Sequence, residues 1–463
     1  MKKVLFFNPP GDAIYLRQYY CSQTSKANYI YHLVDFNILG GIISGYFDVE
    51  YLDAVVNKYD VSACLDKLSK IDYDYIIFLT GYVSFDSDFS IMKKVKALKN
   101  VPMIAIGDIV LSKADELLSE NEFLDAAIID FTSPDILNYL KGNFNEVYSM
   151  FYKKGNEIIR PTPKENSRIF SIPIPRHDLG MNYNYRHPFV KRYPFATVLT
   201  DYGCPYKCKF CVYSTFRYKY RPVADVLEEL RYIKNLGISD IFFLDQTFGS
   251  KQDRYMELCD GMIKKGFRFD WFCFSRVDVL DHEMLSLMKQ SGCHTIMFGV
   301  ESANPALLKE YGKGYDHEKI RDTFRTAKKL GIKTMGTFIL GLPEENRESI
   351  LKTIEFSKEL DCDYASFNFA VPRMGTELRM KALKEKLISE DNRKMDQSGS
   401  FITLDTATLT KEEIVKLRKK AYKSFYLRPT YLWKRLISIN SLEQLIVQLK
   451  DGIKIIQNVI LGR

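Results

Sequence analysis

Short apolar runs alternate with helix-length amphipathic stretches from the start of the chain. VLFFNPP (4–10), DVEYLDA (48–54), YIIFLTG (75–81), PMIAIGD (102–108) and DAAIID (125–130) are separated by helical patterns near 36–46, 60–70, 86–98 and 111–120. Runs that are apolar throughout, rather than at every second residue, belong to strands buried on both faces. With helices between them they predict a parallel, doubly wound sheet over residues 1–140. Ligands of such sheets sit beyond the C-terminal strand ends, here near Asn8, Asp53, Thr80 to Val83, Gly107 to Ile109 and Asp130 to Thr132.

Residues 141–194, with the proline-rich IPIPRHDLGMNYNYRHP, read as a linker. The alternation then restarts. FATVLTDYG (195–203), DIFFLDQTF (240–248), FDWFCFSRVD (269–278), TIMFGVES (295–302), KTMGTFILGLP (333–343) and YASFNFAVP (364–372) are six strand candidates, with amphipathic helices at 223–236, 251–265, 281–291, 316–330 and 346–360. Six consecutive βα units predict a partial (β/α)6 barrel over 195–378, with its chemistry at the C-terminal strand ends. Residues 379–463 are mostly helical and charged, and Leu442, Leu445, Ile446, Leu449, Ile453, Ile456 and Ile460 share one helical face.

Composition changes this picture in two ways. The net charge of +8 is confined to residues 411–463, which hold twelve Lys/Arg against four Asp/Glu, so no basic core is offered to nucleic acid. The N-terminal MKKVLFFNPPGD lacks the continuous apolar run of a signal peptide, and no stretch of about 18 apolar residues is present. The expectation is a cytoplasmic protein with reduced thiols, in which a tight cysteine cluster binds metal.

That cluster is GCPYKCKFCVYS (203–214), at the first barrel strand's end. A structural zinc site needs four ligands, commonly two separated pairs, and no second pair follows. Three thiolates can instead hold a four-iron cluster with one iron open. Cys204, Cys208 and Cys211, with Phe210 before the last, resemble the CxxxCxxC loop of the radical SAM superfamily. The resemblance implies a [4Fe-4S] cluster whose free iron binds S-adenosylmethionine (SAM) and whose electron cleaves it to a 5′-deoxyadenosyl radical. Later segments resemble the family's other motifs in order. FLDQTFG nominates Asp245 for the SAM amino group, FSRVD nominates Arg276 for its carboxylate, and GVES nominates Glu301 and Ser302 for ribose or amino-acid contacts. GTFILGLPEE places Gly336, Ile339 and Gly341, and AVPRMGTEL places Pro372, beside the adenine.

The layout is similar to one branch of that superfamily, with a cobalamin-binding-like N-terminal domain, a radical SAM barrel and a helical C-terminal region. The Asp-x-His-x-x-Gly cobalt-ligand motif is missing, and GDIVLS and IDFTSPD stand where tight glycine turns would approach a corrin. Cobalamin is therefore left open. With it, the resemblance implies C-methylation of an unactivated carbon; without it, rearrangement, dehydration, epimerisation or dehydrogenation. It also implies a one-electron donor such as flavodoxin or ferredoxin. The substrate is a small or lipid-linked molecule, the latter if Trp433, Lys434 and Arg435 bring the tail to the inner face of the membrane as an interfacial helix. A tRNA methylthiotransferase and a non-enzymatic zinc or scaffold protein are the lower-ranked alternatives.

Overall fold

A computed structural model describes residues 1–26, 29–162, 167–393, 395–398 and 404–437. The apolar face expected at 442–460 lies outside the described residues. The chain divides into two compact units. The first comprises Met1–Ser25, Ile30–His187 and Lys219–Ile238, and the second Lys26–Tyr29, Pro188–Tyr218 and Ser239–Arg463.

The first unit is a seven-stranded sheet of β1 (Lys3–Asn8), β2 (Asp48–Asp53), β3 (Tyr75–Leu79), β4 (Met103–Ile106), β5 (Ala126–Ile128), β6 (Met150–Lys154) and β7 (Glu157–Ile159), in the order β2-β1-β3-β4-β5-β6-β7. The first five strands are parallel, which is the doubly wound arrangement the apolar runs predicted. β6 and β7 extend it antiparallel, from sequence read as linker. Helices α1 (Val34–Ile43), α2 (Val61–Ser69), α3 (Phe85–Leu98), α4 (Asp108–Glu120) and α5 (Asp135–Lys141) alternate with the strands. A sixth helix, α6 (Val223–Asn235), belongs to this unit although its sequence follows the first barrel strand. Its buried Glu229 pairs with Arg221 and takes a 2.7 Å contact from His177 Nε2, so leaving the unit would strip a buried carboxylate of its partners.

The strand ends of this sheet are covered by the chain itself. Tyr15–Leu16 and Gln23–Thr24 pair antiparallel, and the residues between them bond to four strand ends in turn. Arg17 donates to Asn8 Oδ1 (2.9 Å) and the Pro9 carbonyl (3.0 Å) after β1, and to Ser84 Oγ (2.9 Å) and Asp88 (2.7 Å) after β3. Ser22 donates through N and Oγ to Asp108 after β4, at 2.8 and 2.7 Å, and Tyr20 donates to the Ile128 carbonyl of β5 at 3.3 Å. The Arg17–Asp88 pair is fully buried. Tyr19 and Tyr20 both hold φ of +51°, a strained conformation for non-glycine residues that this packing maintains.

The second unit contains six parallel strands, β8 (Phe195–Val198), β9 (Asp240–Phe243), β10 (Asp270–Ser275), β11 (Cys293–Glu301), β12 (Lys333–Leu340) and β13 (Tyr364–Phe369), neighbours in sequence order. Helices α7 (Gln252–Lys264), α8 (His282–Gln290), α9 (Pro305–Glu310), α10 (His317–Lys329) and α11 (Arg347–Glu359) connect them, followed by α12 (Glu377–Lys384), α13 (Lys411–Tyr426) and α14 (Pro429–Ile437). This is the expected partial barrel, open at both edges. The β13 edge is satisfied by tyrosine hydroxyls. Tyr431 bonds the Asp363 carbonyl (3.1 Å), Tyr426 bonds Ala365 N and O (3.1 and 2.8 Å), and Tyr422 bonds Phe367 N and O (3.2 and 3.4 Å). The match is metric: four helical residues rise about 6 Å and two strand residues about 6.6 Å. Tyr426→Phe is expected to leave an amide and a carbonyl of the edge unsatisfied, lowering stability by about 1–2 kcal/mol in urea titration. An unchanged midpoint would show that water replaces the hydroxyl.

Candidate active site

The cysteine loop leaves β8 at its C-terminal end. Gly203, at φ +75°, makes the turn, and a Cβ there would stand 3.1 Å from Phe216 Cβ and 3.2 Å from the Arg217 carbonyl. The loop is then clamped by backbone. Lys209 N donates to the Tyr311 carbonyl (3.3 Å), Leu378 N donates to the Lys209 carbonyl (3.0 Å), and Cys211 N closes a turn onto the Cys208 carbonyl (3.0 Å). Cys204 and Cys208 are buried and Cys211 half-buried.

Two polar side chains lie against sulfur. Thr247 Oγ1, after β9, lies 3.5 Å from Cys204 Sγ, and Arg276 Nη1, after β10, lies 3.4 Å from Cys208 Sγ. Burial raises the Cys204 thiol while Thr247 lowers it. Three cysteines on one loop, met by a guanidinium and a hydroxyl, suit a sulfur-ligated iron cluster better than a neutral structural role. Among the described residues no set of three His, Cys, Asp or Glu is gathered for a single metal ion.

Around this loop the structure brings together Phe210, Arg276, Glu301 and a residue that motif reading missed, Lys313. Lys313 Nζ pairs with Glu301 Oε1 at 2.8 Å and lies 5.5 Å from the Phe210 ring centroid, and both charged side chains are buried. Gly299 makes room, since a Cβ there would come within 2.5 Å of Glu301 Oε1. The sequence did carry a signal, a lysine between two glycines and two tyrosines in YGKGY (311–315). Gly312 is needed because the Lys207 carbonyl passes 3.0 Å from where its Cβ would be. Phe210 and Ile339 share one apolar cluster with Tyr311, Leu342 and Ala370.

Several nominated residues already hold partners within the fold. Arg276 makes its bidentate pair with Asp278, at 2.9 and 2.8 Å, and also donates to the Lys313 carbonyl at 2.5 Å. Asp245 is fully buried, accepting from Thr200 N (2.6 Å), Thr200 Oγ1 (2.8 Å) and Asp201 N (2.8 Å), so it shapes the strand end from beneath. Burial, and then the charge of Asp201, push its carboxyl up to about 7. Ser302 Oγ accepts from Asn304 N at 3.1 Å and lies 3.4 Å from Thr353 Oγ1. Gly336 sits within β12, where a Cβ would meet the Phe338 ring at 2.9 Å. Gly341, at φ +88°, donates its N–H to Glu345 (2.7 Å), and the Pro372 carbonyl accepts from Arg379 (3.2 Å).

The radical SAM superfamily profile matches residues 198–357. An uncharacterized methyltransferase of Pyrococcus horikoshii is 32% identical over 412 residues, covering 86% of this chain and 88% of the relative. The chain belongs to the radical SAM superfamily. As a radical SAM enzyme it uses the family's [4Fe-4S] cluster and SAM, and it needs a reductant. The fold agrees with two solved structures. TsrM from Kitasatospora setae, a radical SAM methyltransferase with cobalamin and a [4Fe-4S] cluster bound, matches 83% of this chain and 75% of its own at TM-score 0.65 and 17% identity. The cobalamin-dependent radical SAM enzyme OxsB matches 98% of this chain and 72% of its own at 0.69 and 16%.

Two outcomes follow from the charges at this radical SAM site. Lys313→Met leaves Glu301 buried without its partner, so a stability loss of about 3 kcal/mol is expected, largely recovered in the Lys313→Met/Glu301→Gln double variant. Additive losses in denaturant titrations would show that the pair is not coupled. Glu345 is pushed up from 4.5 to about 7 by burial, against the N–H groups of Leu342 and Gly341. The folded protein therefore holds this proton more tightly than the unfolded chain, and stability falls as pH rises from 4.5 to about 7, by roughly 3 kcal/mol. Glu345→Gln is expected to flatten that decline in urea midpoints measured across the window.

Proposed function

We propose that this chain is a radical SAM C-methyltransferase that acts on an unactivated C–H bond of its substrate. The observation that carries the radical half is the loop of Cys204, Cys208 and Cys211 at the barrel mouth, with Arg276 donating to Cys208 sulfur and Thr247 Oγ1 in contact with that of Cys204. The methyl-transfer half is supported by the methyltransferase relative that aligns along most of the chain. Cys204, Cys208 and Cys211 are assigned as cluster ligands, and Phe210 and Ile339 as the apolar wall beside SAM.

When bound, the cluster and SAM supply reductive cleavage to methionine and a 5′-deoxyadenosyl radical. The chain's own residues do the rest. The buried aromatic and apolar side chains around Phe210 exclude water, which would otherwise compete for the space beside the reacting carbon. The Lys313–Glu301 pair offers an ammonium and a carboxylate oxygen, the two partners that the charged amino and carboxylate groups of SAM call for. Arg276 is held by Asp278, which fixes its Nη1 on Cys208 rather than leaving it to swing toward a ligand. A flavodoxin or ferredoxin is proposed as the reductant.

A second reading is favoured by the first unit. Both solved relatives bind cobalamin, yet here the ends of β1, β3, β4 and β5 are bonded to Arg17, Ser22 and Tyr20 of the same chain. A Cβ on Gly81 would meet Ser22 Cβ at 2.4 Å, so no open glycine cradle faces outward there. As they stand these strand ends do not fit a corrin, and no step is routed through one. On this reading the radical drives rearrangement, dehydration, epimerisation or dehydrogenation without methyl transfer. One anaerobic experiment tests both readings: reconstitution with iron, sulfide and hydroxocobalamin, desalting, and counts of iron and cobalt. About four irons are expected, with SAM cleaved under dithionite, and both are lost in the Cys204→Ala/Cys208→Ala/Cys211→Ala variant. Stoichiometric cobalt supports methyl transfer, iron without cobalt supports the second reading, and an iron-free wild-type protein overturns both.

A further inference from the structure

Arg276 directly follows β10, and several groups hold its guanidinium at once. Nε and Nη2 form a fork on the Asp278 carboxylate, at 2.9 and 2.8 Å, and Nη2 also reaches the Lys313 carbonyl at 2.5 Å. The central carbon lies 4.0 Å over the centroid of the Tyr206 ring and 5.2 Å from that of Tyr315. Both rings are themselves placed: Tyr315 is tied through its hydroxyl to the Gly299 carbonyl, and Tyr206 stands in the cysteine loop between Cys204 and Cys208. These contacts take up Nε and Nη2. Nη1, at the other end of the plane, lies 3.4 Å from Cys208 Sγ. A guanidinium is planar and rigid, so fixing two of its nitrogens fixes the third.

An arginine and an aspartate two residues apart could pair in solvent at little cost. Here the arginine is 5% exposed, and burial removes hydration that pairing only partly returns. What the burial achieves is an N–H donor pressed against the sulfur of a cluster-ligand cysteine that is itself 7% exposed. When an iron–sulfur cluster accepts an electron its sulfurs become more negative. A donor aimed at one of them stabilises the reduced form more than the oxidised one, and the potentials of such clusters follow hydrogen bonds to sulfur and local charge. Asp278 balances the net charge of Arg276, so the influence is short-ranged and depends on where the N–H points.

We infer that Arg276 raises the reduction potential of the cluster held by Cys208, and that Asp278 is the positioning residue that keeps Nη1 on sulfur. The inference rests on the reading of Cys204, Cys208 and Cys211 as cluster ligands and deepens it, since a cluster made easier to reduce takes its electron from a milder donor. One electron passes from the reductant to the cluster. Arg276 keeps its proton throughout and acts only through the hydrogen bond.

The test is an anaerobic potentiometric titration of the full-length protein, reconstituted with iron and sulfide and kept free of SAM, with the electron paramagnetic resonance signal of the reduced cluster measured at each potential. Where half of the wild-type cluster is reduced, the ratio of reduced to oxidised cluster in Arg276→Met is expected to fall about tenfold, a downward shift of about 59 mV for one electron. Arg276→Lys keeps the charge but lacks the fork, and a fall of at least about threefold is expected; this variant decides if Arg276→Met does not fold or hold iron. Asp278→Asn separates positioning from charge. Loss of a carboxylate would by charge alone make the cluster easier to reduce, whereas release of Arg276 from sulfur makes it harder, and the harder reduction is expected. A ratio within about twofold of wild type in either arginine variant, or easier reduction in Asp278→Asn, would overturn the inference. Iron is counted in every preparation. An iron-free wild type counts against the cluster reading itself, while about four irons at a potential indifferent to Arg276 count against the tuning alone.

Discussion

Buried charge at the strand ends is the constraint on which the barrel depends. Three sulfurs must be drawn under cover, and each charge brought with them needs a counter-charge in a medium of low dielectric. The chain answers with local pairs. Arg276 is met by Asp278, Lys313 by Glu301, and Arg254 by Asp201, which in turn sits beside the buried Asp245. Each pair stands at or just past a strand end, where the parallel sheet stops satisfying backbone groups and loops begin. Arg276 and Lys313 thereby bring positive charge beside the sulfur loop, each held by its own carboxylate.

The first unit solves the same problem by closing. Asp88 and Asp108 are buried beyond β3 and β4, and instead of waiting for a ligand they are bonded to Arg17 and Ser22. Gly107 keeps the geometry of a glycine turn, its φ of +147° forced by the Thr80 carbonyl, which would lie 1.7 Å from a Cβ. The residue after it is an aspartate rather than a second glycine, and that carboxylate holds Ser22 and the Tyr82 amide. The strand ends of this unit are thus an internal hydrogen-bonded surface.

Most of the architecture was legible because it is written in apolar runs. YIIFL, MIAI and DIFF can be buried on both faces only in a parallel sheet, and the cysteines stand where the first barrel strand ends. What escaped reading depends on partners far away in sequence. Lys313 is an ordinary lysine until Glu301 is placed beside it, and α6 looks like a barrel helix until His177 claims Glu229. Asp245 illustrates the opposite case. Its motif position suggests a ligand contact, and the fold adds what the motif does not show, two backbone amides and a hydroxyl of the neighbouring strand end bonded to its carboxylate.

The tyrosine hydroxyls along β13 give the C-terminal segment an obligation beyond packing. An open strand edge is a template on which another polypeptide can add itself, and most proteins block it with charge, proline or a short strand. Here the block is supplied from far along the same chain, by side chains of α13 and α14, which are synthesised after all six barrel strands. Until α13 emerges from the ribosome the nascent barrel carries an adhesive edge, so this enzyme would be exposed to misassembly during translation, and a stop codon upstream of Tyr422 would make that exposure permanent.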